Sequence, residues 1–194
     1  MPDWQTKTDI ELVRLTLQNQ EVFGVLIKRY EGKLKRYILR ISNCRTDEAE
    51  DILQEVFIKV YEHINAFDQR QPFSSWIYRI TRNEVISNHR KLRARAEGHA
   101  EMIREDIVQA LASELDIKME LQKKETREAI LKVLDSMDVK YREVLVLKYL
   151  EEKDYKEMSF ILKKPMGTIA TLLNRAKKRF REQAKEMGVE LTHI

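Results

Sequence analysis

FSSWIYRITRNEVISNHRK, Phe73 to Lys91, is the stretch from which the rest of the chain can be read. It opens after Pro72 with Ser74 and Ser75, whose hydroxyls predict a helix cap by accepting the orphan backbone N–H groups of a first turn. Phe73, Trp76, Ile77 and Ile80 follow at helical spacing, so one face of the first turns is apolar. That spacing places Trp76 in a core. Tyr78, Arg79 and Arg82 fall off the apolar stripe, Asn83 divides the aromatic half from the basic half, and Arg90, Lys91, Arg93 and Arg95 come just beyond. A local break is expected at about Thr81 to Glu84, where the apolar rhythm slips. A basic surface interleaved with aromatics suits single-stranded nucleic acid, because cations track phosphates while aromatic faces stack on bases. The same residues also fit an ordinary amphipathic helix with a solvated charged face.

Composition narrows the surroundings. The chain has 194 residues, 35% charged and 43% hydrophobic, with Gly 5 and Pro 3. So few helix breakers among abundant Leu, Glu, Lys, Arg and Ile predict an all-helical protein of one domain or two small ones. The net charge of +4 is mild, and favours a polyanionic partner only where it is clustered. One cysteine, Cys44, excludes an internal disulfide and a cysteine-built zinc site and fits a reducing cytosol, where it reads as a small apolar residue. The opening MPDWQTKTDIEL has no basic-then-apolar targeting pattern, and no apolar run approaches the ~20 residues that cross a bilayer. A cytoplasmic protein without membrane insertion is expected.

Toward the N-terminus, Asp9 predicts the cap of a short helix, and a longer helix runs from about Gln20 to Ile41 on the rhythm of Phe23, Leu26, Ile27, Tyr30, Leu34, Tyr37 and Ile38. Thr46 is the expected cap of the next helix, with Asp47, Glu48, Glu50 and Asp51 placing negative charge on its positive end. There Ile52, Val56, Phe57, Val60 and Ile64 can face a core, leaving Asp51, Gln54, Glu55 and Ile58 on a mixed exposed face. These carboxylates do not read as a metal site, because His63 lacks the Glu-x-x-His pairing of di-metal bundles; the one such spacing is Glu190 to His193. Ala66 to Pro72 reads as a loop. From Arg93 to about Glu125 apolar residues scatter, which predicts a partly helical linker too polar for its own core, with Gly98 closing the first domain.

Beyond the linker, Ala129, Ile130, Val133, Leu134 and Met137 form a stripe, and a further helix begins near Tyr141. Asp154 with Glu157 predicts a capping box for a short helix whose inner face is Met158, Ile161 and Leu162. Lys163 to Gly167 reads as a tight turn and Thr168 as the cap of the last long helix. A short helix, a turn and a longer helix are the helix-turn-helix layout. Ile169, Leu172, Leu173, Ala176 and Phe180 share the packing face of the last helix, and Thr171, Asn174, Arg175 and Lys178 the opposite one. Asn and Arg can contact base edges bidentately, and lysines grip phosphate.

Three motifs resemble those of bacterial RNA polymerase sigma factors of the extracytoplasmic-function (ECF) branch. Phe73, Ser75, Trp76, Ile77, Tyr78, Arg79, Ile80, Thr81 and Asn83 match F-x-[ST]-W-[LI]-[YF]-R-I-[AT]-x-N, the segment that opens the −10 promoter element. Asp51, Gln54, Glu55 and Phe57 match D-[ILV]-x-Q-E-x-F, which docks on the clamp coiled coil of the polymerase's largest subunit. Pro165, Gly167, Thr168, Thr171, Leu173, Arg175, Ala176 and Lys177 match the segment that reads the −35 element. Ala170 and Leu172 depart from that pattern where Lys or Arg, and Arg, are usual, so weaker or altered −35 contact is expected. Arg142, Val144, Leu147 and Tyr149 match a further pattern of the same family.

The resemblance implies a non-enzymatic transcription initiation factor with no cofactor and no metal, built as two small helical domains: 1–95, a flexible linker 96–125, and a helix-turn-helix domain 126–194. Its implied partners are core RNA polymerase, promoter DNA (duplex at −35, single-stranded at −10) and an anti-sigma factor. Asp51, Gln54, Glu55, Phe57 and Ile58 would meet the polymerase. Tyr78, Arg79, Arg82, Asn83, Asn88, Arg90 and Lys91 would meet the −10 strand, with Asn83 in a pocket for a flipped base. Thr168, Thr171, Asn174, Arg175, Lys177 and Lys178 would meet −35 DNA. The linker, with Glu101, Glu105 and Asp106, would thread an electropositive polymerase channel. A helix-turn-helix regulator acting without polymerase would leave FSSWIYRITRN and DILQEVF unexplained, and a helical adaptor would leave the basic last helix without a purpose.

Overall fold

The structure is a computed structural model that describes residues 4–42, 44–95 and 130–188, with side chains described as far as Arg90 in the middle segment. Every regular element among the described residues is helical. They form two compact units, one built mainly on residues before 96 and the other mainly on residues from 130 onward. The linker expectation for 96–125, with Gly98, Glu101, Glu105 and Asp106, lies outside the described residues, as does the Glu190–His193 spacing.

In the first unit, α1 (Asp9–Thr16) is capped by Thr8. The Glu11 amide donates to the Thr8 hydroxyl at 3.3 Å and the Thr8 amide to the Glu11 carboxylate at 2.8 Å, a complete capping box. The expected cap, Asp9, instead turns toward the next helix and accepts from Arg29 Nη1 at 2.7 Å and from the Tyr30 hydroxyl. A 3-10 turn (Gln20–Val22) leads into α2 (Phe23–Ser42), and α3 (Thr46–His63) follows, with Thr46 already inside its first turn. The first unit is completed by α4 (Phe73–Arg95), whose first turn contains both serines; Trp76 N–H donates to the Pro72 carbonyl at 3.2 Å, so neither serine occupies the cap.

Aromatic pairs lock these helices together, each worth about 0.5–1.5 kcal/mol beyond the area it buries. Phe23 meets Phe57 edge-on (6.4 Å between ring centres), Tyr30 meets Phe73 (5.6 Å), and Tyr37 tilts against Tyr78 (5.0 Å). The break expected at Thr81 to Glu84 is absent, and α4 runs through it. The apolar rhythm slips there because buried polar groups stand in the stripe, each provided with a partner. Thr81 donates its hydroxyl to the Ile77 carbonyl at 2.9 Å, and the Glu84 carboxylate is paired with Lys59 of α3. Satisfied polar groups do not interrupt a helix.

The second unit opens with α5 (residues 130–136), which buries Val133 and Leu134. Arg142, on α6 (Val139–Leu145), donates to the Asp135 and Met137 carbonyls at 3.0 Å each and so closes the end of α5. Burial lowers the pKa of this guanidinium below the ordinary arginine value, opposed by Asp135 and Asp138. α6 packs along the final helix and widens into a π turn at Val146–Leu150, which is closed by Glu151 and followed by Glu152 with φ 52°.

Asp154 and Glu157 then form the expected capping box at the head of α7 (Tyr155–Leu162), which buries Met158, Ile161 and Leu162. Lys163, in the left-handed conformation, stops α7. Ser159 Oγ donates to the Lys164 carbonyl at 2.6 Å and the Lys164 amide returns a bond to the Ser159 carbonyl at 3.2 Å. Three residues on, α8 (Met166–Glu186) begins. Thr168 is therefore inside α8 and not its cap; Pro165 holds that position and its carbonyl accepts from Ile169 N–H at 3.0 Å.

Candidate nucleic-acid interface

Three helix faces carry the residues singled out from the sequence. On α3, Asp51, Gln54, Glu55 and Ile58 are exposed and recur at the spacing of one helical stripe; the Ile58 side chain is 51% exposed despite being apolar. Phe57 does not belong with them. It is only 8% exposed and packs on Phe23, because it falls on the opposite stripe with Val56 and Val60. The sequence reading missed Tyr61. It is exposed one turn beyond Ile58, with its ring 5.2 Å from that of Phe23. Extending the stripe three residues past Ile58 would have found it.

On α4 the assignments of Trp76 and Tyr78 exchange places. Tyr78 is 3% exposed beneath Tyr37 and cannot touch a strand, whereas Trp76 is half-buried, tilted against Phe67 (5.1 Å) and Phe73 (5.6 Å). By spacing, Trp76, Arg79, Asn83 and Arg90 share one face, with Asn83 and Arg90 exposed and Arg79 half-buried. Arg82 and Asn88 are half-buried on neighbouring rows. Lys91 stands beyond the described side chains.

The 66–72 loop is held against this face. Phe67 is buried with Phe73 and Trp76, and Gln69 accepts from Arg14 Nε of α1 at 2.9 Å. Hydrogen bonds and charge from Arg70 lower the pKa of exposed Asp68.

On α8, Thr168, Thr171, Asn174, Arg175 and Lys178 are exposed, opposite buried Ile169, Leu173, Ala176 and Phe180. Lys177 is half-buried with Nζ 5.7 Å from the centre of the Tyr149 ring, a cation–π contact that draws it toward the π turn. Ala170 and Leu172, where the resemblance led to expect cations, are both half-buried. Among the described residues no cluster of His, Cys, Asp and Glu could hold a metal ion, and no helix is long and apolar enough to cross a membrane.

The helices bearing these faces coincide with two matched family segments. Residues 26–95 match Sigma-70 region 2, and residues 127–180 match Sigma-70, region 4. The ECF RNA polymerase sigma factor SigW of Bacillus subtilis is 32% identical over 181 residues, which span 87% of this chain and 92% of SigW. The chain belongs to the ECF sigma factor family. The fold agrees: CnrH, solved in complex with the cytosolic domain of CnrY, superposes with a TM-score of 0.68 at 18% identity, over 92% of this chain and 97% of CnrH. RpoE of Bartonella quintana, solved with the anti-sigma factor NepR, gives 0.65 at 22% identity, over 84% of this chain and 96% of RpoE.

Proposed function

We propose that this ECF sigma factor is a transcription initiation factor that binds core RNA polymerase, directs it to promoters through the −35 and −10 elements, and helps to open the DNA. Sigma factors are non-catalytic, and this chain is read the same way. The observation that carries the assignment of roles is one chain bearing a mixed acidic, amide and apolar stripe on α3, a basic and aromatic face on α4, and a helix-turn-helix with a polar outer face.

Asp51, Gln54, Glu55 and Ile58 dock on the polymerase, joined by Tyr61, whose exposed ring adds apolar contact beside Ile58. An acidic rim on an apolar centre steers association and fixes register. Trp76, Arg79, Arg82, Asn83, Asn88 and Arg90 hold the unwound −10 strand. Extruding a base costs a few kcal/mol, and stacking with amide contact offsets that cost. Thr168, Thr171, Asn174, Arg175, Lys177 and Lys178 engage the −35 duplex.

Residues 1–95 and 126–194 act as two domains on a tether of residues 96–125, and such an arrangement gains affinity by effective concentration, so that each half binds weakly alone. RpoE was solved with an anti-sigma factor, and a partner of that kind covering these faces would keep the protein inactive. The site of action is the cytoplasm.

Run-off transcription with core polymerase tests this reading, comparing the wild type with Gln54→Ala/Glu55→Ala on genomic promoter fragments. Protein-dependent transcripts that fade in the double variant are expected. Duplex binding without any protein-dependent transcript would overturn the sigma assignment in favour of a regulator that acts without polymerase.

A further inference from the structure

We propose that Thr171 reads a thymine through its methyl group in the −35 major groove; the inference rests on the −35 role assigned to α8 above. In helix-turn-helix proteins the first turns of the second helix reach the base edges. Here those turns, MGTIATLL (residues 166–173), contain no charged side chain, and the first cation is Arg175. Thr171 is exposed near the middle of the polar face, with Thr168 one turn before it and Asn174 and Arg175 one turn after.

The Thr171 hydroxyl is already occupied. Its Oγ1 donates to the Gly167 carbonyl at 3.0 Å, one turn back in the same helix. A hydroxyl has a single proton to donate, so Thr171 has none left for the N7, O6 or O4 acceptors of a base edge. What it offers instead is Cγ2, an apolar surface held in one orientation by the β-branched side chain and its internal hydrogen bond. The only apolar group that bases present in the major groove is the thymine C5-methyl. The oxygen keeps lone pairs and could accept from an adenine or cytosine amine, so the experiment must separate methyl from oxygen.

The full-length protein with core polymerase would first select its −35 element from random duplexes. Each thymine of the selected element would then be replaced in turn by deoxyuridine, which removes only the methyl. For the wild type, one position should lose about fourfold in affinity, the worth of one buried methyl. Thr171→Val, which keeps Cγ2 and loses the hydroxyl, should retain that sensitivity. Thr171→Ser, which does the reverse, should bind thymine and deoxyuridine alike at that position. If no thymine is sensitive, or if Thr171→Ser discriminates as well as wild type, the inference fails while the −35 role stands. If no −35 sequence is selected at all, that role fails and the inference with it.

Discussion

Lys59 and Glu84 form an ion pair that joins helix α3 to helix α4, and removing the lysine should loosen the first unit measurably. The Glu84 side chain is 5% exposed and that of Lys59 41% exposed. Breaking a fully buried pair costs about 3–5 kcal/mol, because a charge is left without compensation in a medium that solvates it poorly. An exposed pair contributes about 0–1 kcal/mol. With one end buried and the other reaching water, Lys59→Met should cost about 2 kcal/mol, between those limits. Glu84→Gln keeps the shape and a hydrogen-bonding amide and loses only the charge, so about 1 kcal/mol is expected. Replacing both residues by methionine should return stability to within about 1 kcal/mol of wild type, because no charge then needs a partner. Both tryptophans, Trp4 and Trp76, lie in the first unit, so urea denaturation followed by tryptophan emission reports on that unit. At a slope of about 2 kcal/mol per molar urea, Lys59→Met should lower the midpoint by about 1 M. If Lys59→Met left the midpoint unmoved, or the double variant lost the sum of the single losses, the account of Glu84 as a compensated polar group inside α4 would be wrong.

Further outcomes follow from the other faces. Phe57→Ala should cost about 3–5 kcal/mol of stability, whereas Ile58→Glu should change stability by less than about 0.5 kcal/mol and yet abolish core-polymerase co-purification; equal effects in both assays would refute the division of α3 into two stripes. The Thr8 amide and hydroxyl and nearby Lys7 hold the Glu11 carboxyl at a pKa of about 2, against an ordinary value of 4.5. Because the folded-state pKa is depressed, the capping box contributes fully above about pH 4.5 and fades as the pH falls toward 2. An NMR titration of the Glu11 carboxyl should return this low value, and Thr8→Ala should raise it; a titration near 4.5 in wild type would show that the box does not form in solution. Lys178→Ala should weaken −35 binding for all sequences alike and reduce the salt slope by about 1. A loss confined to one base position would make Lys178 a base reader instead.

The elements that could be read from the sequence were those whose signals are local. The Asp154–Glu157 box, the inner face of α7 and the core stripe of α3 each depend on residues within one or two turns, and the structure has them as expected. Misreadings arose where burial is decided by distant neighbours. On α4 the buried arc runs from Phe73 and Ile77 through Thr81 to Tyr78 and Val85, wider than a single stripe, because α2 covers Tyr78 through Tyr37 while α3 covers Glu84 through Lys59. A one-stripe reading therefore leaves Tyr78 outside and moves Trp76 inward, and interprets the polar residues within the arc as a break. Thr168 failed as a cap for a different reason. Hydroxyl residues suit both caps and exposed first-turn positions, and with Pro165 as the cap the helix starts three residues earlier than a Thr168 cap would place it. The π turn at Val146–Leu150 has no signature in the sequence that distinguishes it from ordinary helix.

In the −35 role proposed for α8, its layout would separate how tightly the protein holds DNA from which DNA it prefers. Arg175, Lys177, Lys178, Arg179 and Arg181 all lie beyond its first two turns, and cations toward that end also suit the negative end of the helix dipole. Phosphate contacts from this basic segment would raise affinity for every sequence by a similar factor and carry most of the salt dependence. The first two turns, residues 166–173, have none of that charge, and Ala170 and Leu172 stand there where the resembled −35 pattern usually has cations. Besides Met166, their exposed side chains are the short ones of Thr168 and Thr171, about 15 Å and about 10 Å along the axis from the middle of the basic segment at the helical rise per residue. Short side chains make few contacts, so they add little to affinity, but a methyl or an amide set against a base edge still ranks one sequence above another. Promoter choice in this protein should therefore respond to substitutions in the first two turns of α8 that barely change total binding, and total binding should respond to neutralising the last turns without reordering its preferred sequences.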